Sequence, residues 1–175
     1  EATMEQIIVP FLRRIGELWC EKKWGEYQEA VSSQTIRDFL ANLRRHFYIP
    51  ENAPLVVGSC LPNERHEIPM QILLVQCMLR GYRTLMLGPA PAPTAIESTV
   101  SLASPAIVLL TASTHAVWED NGEALRALDA FAKTMPHIKF FIGGAGVKHI
   151  VQQFEIEAIQ EAHSLHEVFF KIEKV

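Results

Sequence analysis

A doubly wound α/β domain behind a short helical hairpin is the fold class this sequence predicts, and three observations predict it. Apolar residues recur at helical spacing up to Phe47, and the period changes after a proline-bearing stretch. From Leu55 onward short apolar runs alternate with helical patterns five times, which is the rhythm of βαβ units and a parallel sheet. Ala106 to Leu110 is a continuous apolar run, as a central parallel strand covered on both faces requires.

The first helix is expected from Met4 to Lys23, with Ile7, Ile8, Phe11, Leu12, Ile15, Leu18 and Trp19 on its apolar stripe. Pro10 falls inside that pattern and predicts a kink or a boundary, and Gly25 predicts the helix terminus. A second helix is expected from about Tyr27 to Phe47, its stripe formed by Ala30, Ser33, Ile36, Phe39, Leu40 and Leu43. Helices joined by so short a connection pack antiparallel. Two helices bury little alone, so residues 1–48 read as a helical cap, part of a four-helix bundle. The chain opens at Glu1 within this helical pattern, and a longer parent protein is expected. Residues 49–54 hold Pro50 and Pro54 and read as a linker. Residues 55–175 then form the α/β domain.

Within that domain Leu55 to Gly58 reads as a strand, and Ile68 to Arg80 as a helix closed by Gly81. Thr84 to Leu87 is a strand, followed by Gly88-Pro89-Ala90-Pro91 and a helix from about Thr94 to Ala103. A polar loop leaves the third strand and enters a helix from about Gly122 to Met135. The strand Lys139 to Ile142 runs into Gly143-Gly144-Ala145-Gly146. A short helix, a weak strand near Ile156 to Ile159 and a last helix from Ser164 to Ile172 complete a five-stranded parallel sheet.

Composition excludes several function classes. The 175 residues suit one large domain or two small ones, with 49% hydrophobic and 21% charged residues. A net charge of -4 without a basic stripe argues against direct nucleic-acid contact, which draws its affinity from Lys and Arg on phosphates. The longest apolar runs are too short to span a bilayer, and no secretory signal opens the chain. Cys20, Cys60 and Cys77 are odd in number and widely spaced. They predict neither a disulfide framework nor a structural zinc site, and a reducing cytoplasm is the default location.

The densest polar cluster is Glu64-Arg65-His66, in a loop between the first strand and its helix. Open α/β sheets bind ligands outside the carboxyl ends of their strands. A loop histidine beside a carboxylate has the arrangement that orients a metal-binding imidazole; a solvated His next to a solvated Glu explains the same residues. Gly143 and Gly144 follow a strand, where missing Cβ atoms admit a ligand or another backbone, or serve turn chemistry alone. Thr111 and Ser113 end the third strand and either donate to a bound polar tail or satisfy the loop backbone. Trp19, Trp24 and Tyr27 fall at the hairpin tip, where core or interface packing is the default and a pocket wall is the alternative. His115 and the group His149, His163 and His166 lack metal-ligand spacing, and no nucleophile–base pair stands out. A ligand-binding, non-enzymatic domain follows.

Taken as a set, these residues resemble a known family. Glu64-Arg65-His66-Glu67-Ile68 before a helix, then Leu87-Gly88-Pro89, then Gly143-Gly144, resemble the cobalamin-binding domain of light-sensing MerR-type transcriptional regulators, the CarH/LitR family. Gly16-Glu17-Leu18-Trp19, followed by Glu29 and Ser33, resembles the helical cap of that family. The resemblance implies a Rossmann-like cobalamin-binding fold, with a helical bundle over the upper face of the corrin. It implies cobalamin, as adenosylcobalamin, with His66 as the lower ligand of cobalt and Glu64 as its partner. Trp19 and Glu29 lie above the ring, and Gly143 and Gly144 beside the nucleotide tail. It also implies self-association as a dimer or tetramer, and DNA binding only through an upstream winged-helix domain.

Three positions depart from the family pattern. Cys20 and Ala30 stand where the family has cap histidines, and Pro69 stands where a glycine closes the lower motif. Loss of both imidazoles predicts a weak response to light. A thiolate at Cys20 is one replacement ligand, although buried cysteines are ordinarily inert. Pro69 suits the first turn of a helix. Two alternatives follow from the departures and from the shared fold. One is a pocket reassigned to an apolar effector, lined by Ile15, Trp19 and Val31, or to haem through His66 or Cys20. The other is a corrinoid carrier module of a methyltransferase.

Overall fold

The computed structural model describes residues 6–7, 9–92, 94–120, 122–148 and 150–173. Met4 and Ile8 of the first helical stripe, and His149, lie outside the described residues. The chain divides into two compact units, Glu1–Tyr48 and Ile49–Val175.

The first unit holds helices α1 (Val9–Cys20) and α2 (Glu26–Arg44), packed on each other. Pro10 lies in the first turn of α1, where its missing N–H costs nothing. The helix stops earlier than Lys23. Lys22 takes a left-handed conformation at φ 55°, and the N–H groups of Lys23 and Trp24 close back on the Leu18 carbonyl, which is how such a residue ends a helix. Gly25 therefore does not terminate α1. It is the N-cap of α2, and its N–H donates to Oε1 of Gln28 at 2.7 Å. Ile15, Ser33, Ile36 and Leu40 are buried. Much of the predicted stripe is exposed, Phe11 and Phe39 at 43% each. Trp19 and Tyr27 are not core residues either, with 51% and 71% of their surface accessible.

The second unit is a five-stranded parallel sheet in the order β2-β1-β3-β4-β5. Its strands are β1 (Leu55–Cys60), β2 (Arg83–Met86), β3 (Ile107–Thr111), β4 (Lys139–Gly143) and β5 (Ile159–Glu161). Helices α3 (Ile68–Leu79), α4 (Ala95–Ala103), α5 (Glu123–Lys133), α6 (Ile150–Gln153) and α7 (Leu165–Glu173) complete it. The doubly wound α/β class predicted from the alternation is the one observed. Along β3 the side chains split by parity. Val108 and Leu110 pack with Ile96, Val100, Leu125 and Leu128 of α4 and α5. Ile107 and Leu109 pack with Met70, Leu74, Leu165 and Val168 of α3 and α7. Burial on both faces is why β3 reads as a continuous apolar run. Each fully buried Leu contributes about 1.5–3 kcal/mol.

Two details differ from the expected pattern. The last strand lies at Ile159–Glu161, beyond Ile156, because Asp129 of α5 takes the N–H groups of Glu157, Ala158 and Ile159 at 3.2, 2.7 and 3.0 Å. The Glu157 and Ala158 donors are held by a side chain, so the ladder starts at Ile159, which pairs with Phe140. The polar loop after β3 contains a short 3₁₀ turn, His115–Trp118, fixed by the Trp118 indole N–H on the Gly146 carbonyl at 2.8 Å. Among the described residues no helix is long and apolar enough to cross a membrane.

Candidate functional site

Strand order reverses between β1 and β3, and the crevice outside their carboxyl ends is where this architecture binds ligands. Glu64 and His66 sit there, on the loop from β1 to α3. Pro69 in the first turn of α3 helps start the helix directly behind the loop.

Glu64 is fully buried. One of its oxygens accepts the backbone N–H of His66 at 2.8 Å and Nδ1 of the same residue at 2.7 Å. The other accepts the N–H of Ser113 and, at 3.1 Å, that of Thr114. Burial pushes the carboxyl pKa up, but the His66, Ser113 and Thr114 N–H groups and the imidazole together hold it below the usual range. The group is thus an ionised carboxylate that can only accept, so Nδ1 of His66 carries the proton. The Nε2 lone pair is left as a ligand, on a side chain 61% accessible. The Glu64 carbonyl in turn accepts the Ala90 N–H at 2.7 Å, tying the proline-rich loop after β2 to the same hub.

The other predicted residues are placed differently. Thr111 is buried, and its hydroxyl donates to Sγ of Cys60 at 3.7 Å. Burial pushes the Cys60 thiol up to about 11, so it is a packed neutral group beneath the His66 loop. A Cβ on Gly143 would lie 2.5 Å from the Ala162 carbonyl oxygen, and one on Gly144 (φ +118°) would strike that of Ala112. Both glycines are required by the approach of the chain's own backbone. Cys20 and Ala30 are exposed, as is most of Trp19. Glu29 accepts the Ser33 hydroxyl at 2.7 Å, one turn along α2. Glu64 and His66 therefore meet in one constellation with the backbone of Ser113 and Thr114.

The backbone donors on Glu64 are the part that residue patterns did not identify. An acid two residues before a histidine, between a strand and a helix, was the available signal, but its partners lie 49 and 50 residues away. Asp129 was also missed, although a carboxylate on the stripe of Leu125, Leu128 and Ala132 marks a buried acid.

The donor set fits one kind of metal group. Among the described residues no three His, Cys, Asp or Glu side chains converge, whereas a bare transition metal requires three or four protein ligands. A single oriented imidazole suits a metal whose equatorial ligands belong to a macrocycle. A groove of about 630 Å³ at the opposite, amino end of the sheet, lined by Pro54, Arg83, Ser104 and His137 among others, is remote from this imidazole.

Solved structures agree with the fold. The chain is similar to a novel cobalamin-binding protein from Desulfitobacterium hafniense DCB-2, with TM-score 0.57 and 16% identity over 93% of this chain and 77% of that one. It is similar to the monomethylamine corrinoid protein of Methanosarcina barkeri, with TM-score 0.67 and 15% identity over 94% and 78%. It also matches the methanol:cobalamin methyltransferase complex of Methanosarcina barkeri, with TM-score 0.52 and 16% identity over 91% and 62%. No family model and no curated protein matches the sequence. At these identities the likeness is one of fold: the chain has the fold of cobalamin-binding and corrinoid proteins.

Proposed function

We propose that the chain binds a corrinoid, adenosylcobalamin in the first instance, as the sensory part of a MerR-type transcriptional regulator. One observation carries the binding: the accessible His66 imidazole, held through Nδ1 by a buried Glu64 at the sheet's switch point. His66 would be the residue that holds the cobalt. Glu64 fixes the tautomer, and the Ser113 and Thr114 N–H groups fix Glu64. The cofactor, when bound, would supply ligand exchange at cobalt and a labile cobalt–carbon bond. The resemblance carries over Trp19 and Glu29 as corrin contacts, and it is this pair that favours the sensor. In that role the protein is cytoplasmic, non-enzymatic and self-associating, and reaches DNA through an upstream winged helix.

The likeness to the methanol:cobalamin methyltransferase complex and to the monomethylamine corrinoid protein supports a second reading, a corrinoid carrier serving a methyltransferase. The parent gene separates the two: a winged helix in the same reading frame supports the sensor, and a fused or adjacent methyltransferase overturns it. Binding itself is tested by mixing the purified chain with hydroxocobalamin or adenosylcobalamin and desalting. Corrin absorbance is expected to stay with the wild type and to be lost from His66→Ala. A colourless wild type overturns the assignment, and a Soret band retained after haemin replaces it with haem.

A further inference from the structure

We propose that the outer edge of β2 is a docking surface for a second copy of this chain, the two β2 strands pairing antiparallel about Leu85 into one continuous sheet. The inference stands on the sheet alone and does not depend on what the carboxyl end of the sheet binds.

The sheet has two edges, β2 and β5, and the chain treats them differently. At β5 the outward-facing groups are taken by side chains. Asp129 accepts the Ile159 N–H at 3.0 Å, and Nζ of Lys171 donates to the Glu161 carbonyl at 2.7 Å. Such plugs keep an edge from recruiting another strand.

At β2 the N–H of Arg83 donates to the Pro54 carbonyl and that of Leu87 to the Gly58 carbonyl, both at 3.0 Å. Odd-numbered residues therefore face β1, and the N–H and C=O groups of Thr84 and Met86 face away from it. Among the described residues nothing bonds to those groups. Between them Leu85 is 41% exposed.

These open groups are self-complementary, and they select one register. With the two-fold axis at Leu85, Thr84 lies opposite Met86 of the second copy. Each pair exchanges two N–H···O bonds, so every open donor meets an open acceptor. An axis at Thr84 would set Met86 against Tyr82, whose N–H is already held by the Cys77 carbonyl at 3.1 Å. The Leu85 side chains then face each other as a close cross-strand apolar pair. Charge agrees: Arg83 is the one charged residue of β2, and this register sets it opposite Leu87, not opposite its own copy.

The test is analytical ultracentrifugation of the purified chain over a range of concentrations, with circular dichroism as the check on folding. A reversible species of twice 19.7 kDa is expected. Leu85→Glu sets two carboxylates face to face and is expected to weaken self-association by about a hundredfold. Thr84→Pro removes an outward N–H, which an edge strand tolerates, and is expected to have the same effect on a folded monomer. Amide exchange on the wild type gives a reading that needs no variant: protection of Thr84 and Met86 is expected to rise with protein concentration. A chain that stays monomeric up to the millimolar range overturns the inference. So does a dimer indifferent to both substitutions, or exchange at Thr84 and Met86 that does not change with concentration.

Discussion

Nδ1 of His66 lies 2.7 Å from a Glu64 oxygen that is fully buried and also holds the His66 backbone N–H. One acceptor atom thus fixes both the ring and the main chain of the same residue. The imidazole is set as the Nδ1–H tautomer before any ligand arrives, which removes an ordering cost from binding. Long-range ¹⁵N–¹H correlation spectra at pH 8 are expected to show Nδ1 protonated in the ligand-free protein. In Glu64→Ala the common Nε2–H form should dominate. An Nε2–H ring in the wild type would mean that Glu64 does not orient it.

Acid should loosen the fold through two carboxylates. For Glu64, and for Asp129 on α5, burial pushes the pKa up. Bonded N–H groups outweigh it in both, joined by the imidazole at Glu64 and by Lys133 at Asp129. Each folded value lies below the unfolded one, so each contribution is complete above the unfolded pKa of roughly 4 and is lost as pH falls through the folded value. Glu64→Gln and Asp129→Asn are expected to cost about 1–3 kcal/mol each at pH 7. In urea unfolding, the gap between each variant and the wild type should narrow at pH 3. A gap that stays constant would show that ionisation is not what the bonds depend on.

Local pattern made the α/β class legible because strands and helices here differ in period and each is bounded by its own turn residues. Leu55–Gly58, Ile68–Arg80 and Lys139–Ile142 fall within a residue or two of the observed elements. Glu64 and His66 were legible because a polar cluster interrupts two apolar runs. What escaped depends on distant partners. β5 begins at Ile159 because Asp129, 30 residues earlier, takes the preceding N–H groups. Gly25 was assigned to the wrong helix because Lys22, a residue without special conformational freedom, adopts φ 55° and ends α1 first. No periodicity announces that choice.

Gly144 separates ligand chemistry from folding. At φ +118° a side chain is strained, and its Cβ would strike the Ala112 carbonyl oxygen. Gly144→Ala is expected to destabilise the ligand-free protein by roughly 2 kcal/mol or more, about 4–8 °C in Tm by calorimetry. An unchanged Tm, with only corrinoid affinity reduced, would assign the glycine to the ligand.

The last expectation concerns light, and it turns on what the helical unit lacks. A ligand shifts a two-state equilibrium only by its differential affinity for the two states. A lit state that outlasts illumination therefore needs a bond that the dark state does not make. Imidazoles at positions 20 and 30 would supply one, but this chain has Cys20 and Ala30 there, both exposed. The first 48 residues contain one histidine, His46, whose Nδ1 lies 2.9 Å from the Asn42 carbonyl oxygen. It stands 16 residues beyond Ala30, roughly 24 Å along a helix, too far to act in its place. Size-exclusion chromatography of the adenosylcobalamin-loaded chain is therefore expected to give the same elution volume before and after green light. Ala30→His alone should not change that, because position 20 still lacks an imidazole. A light-driven shift from tetramer to monomer in the wild type, abolished by Cys20→Ala, would show that the thiolate makes the missing bond.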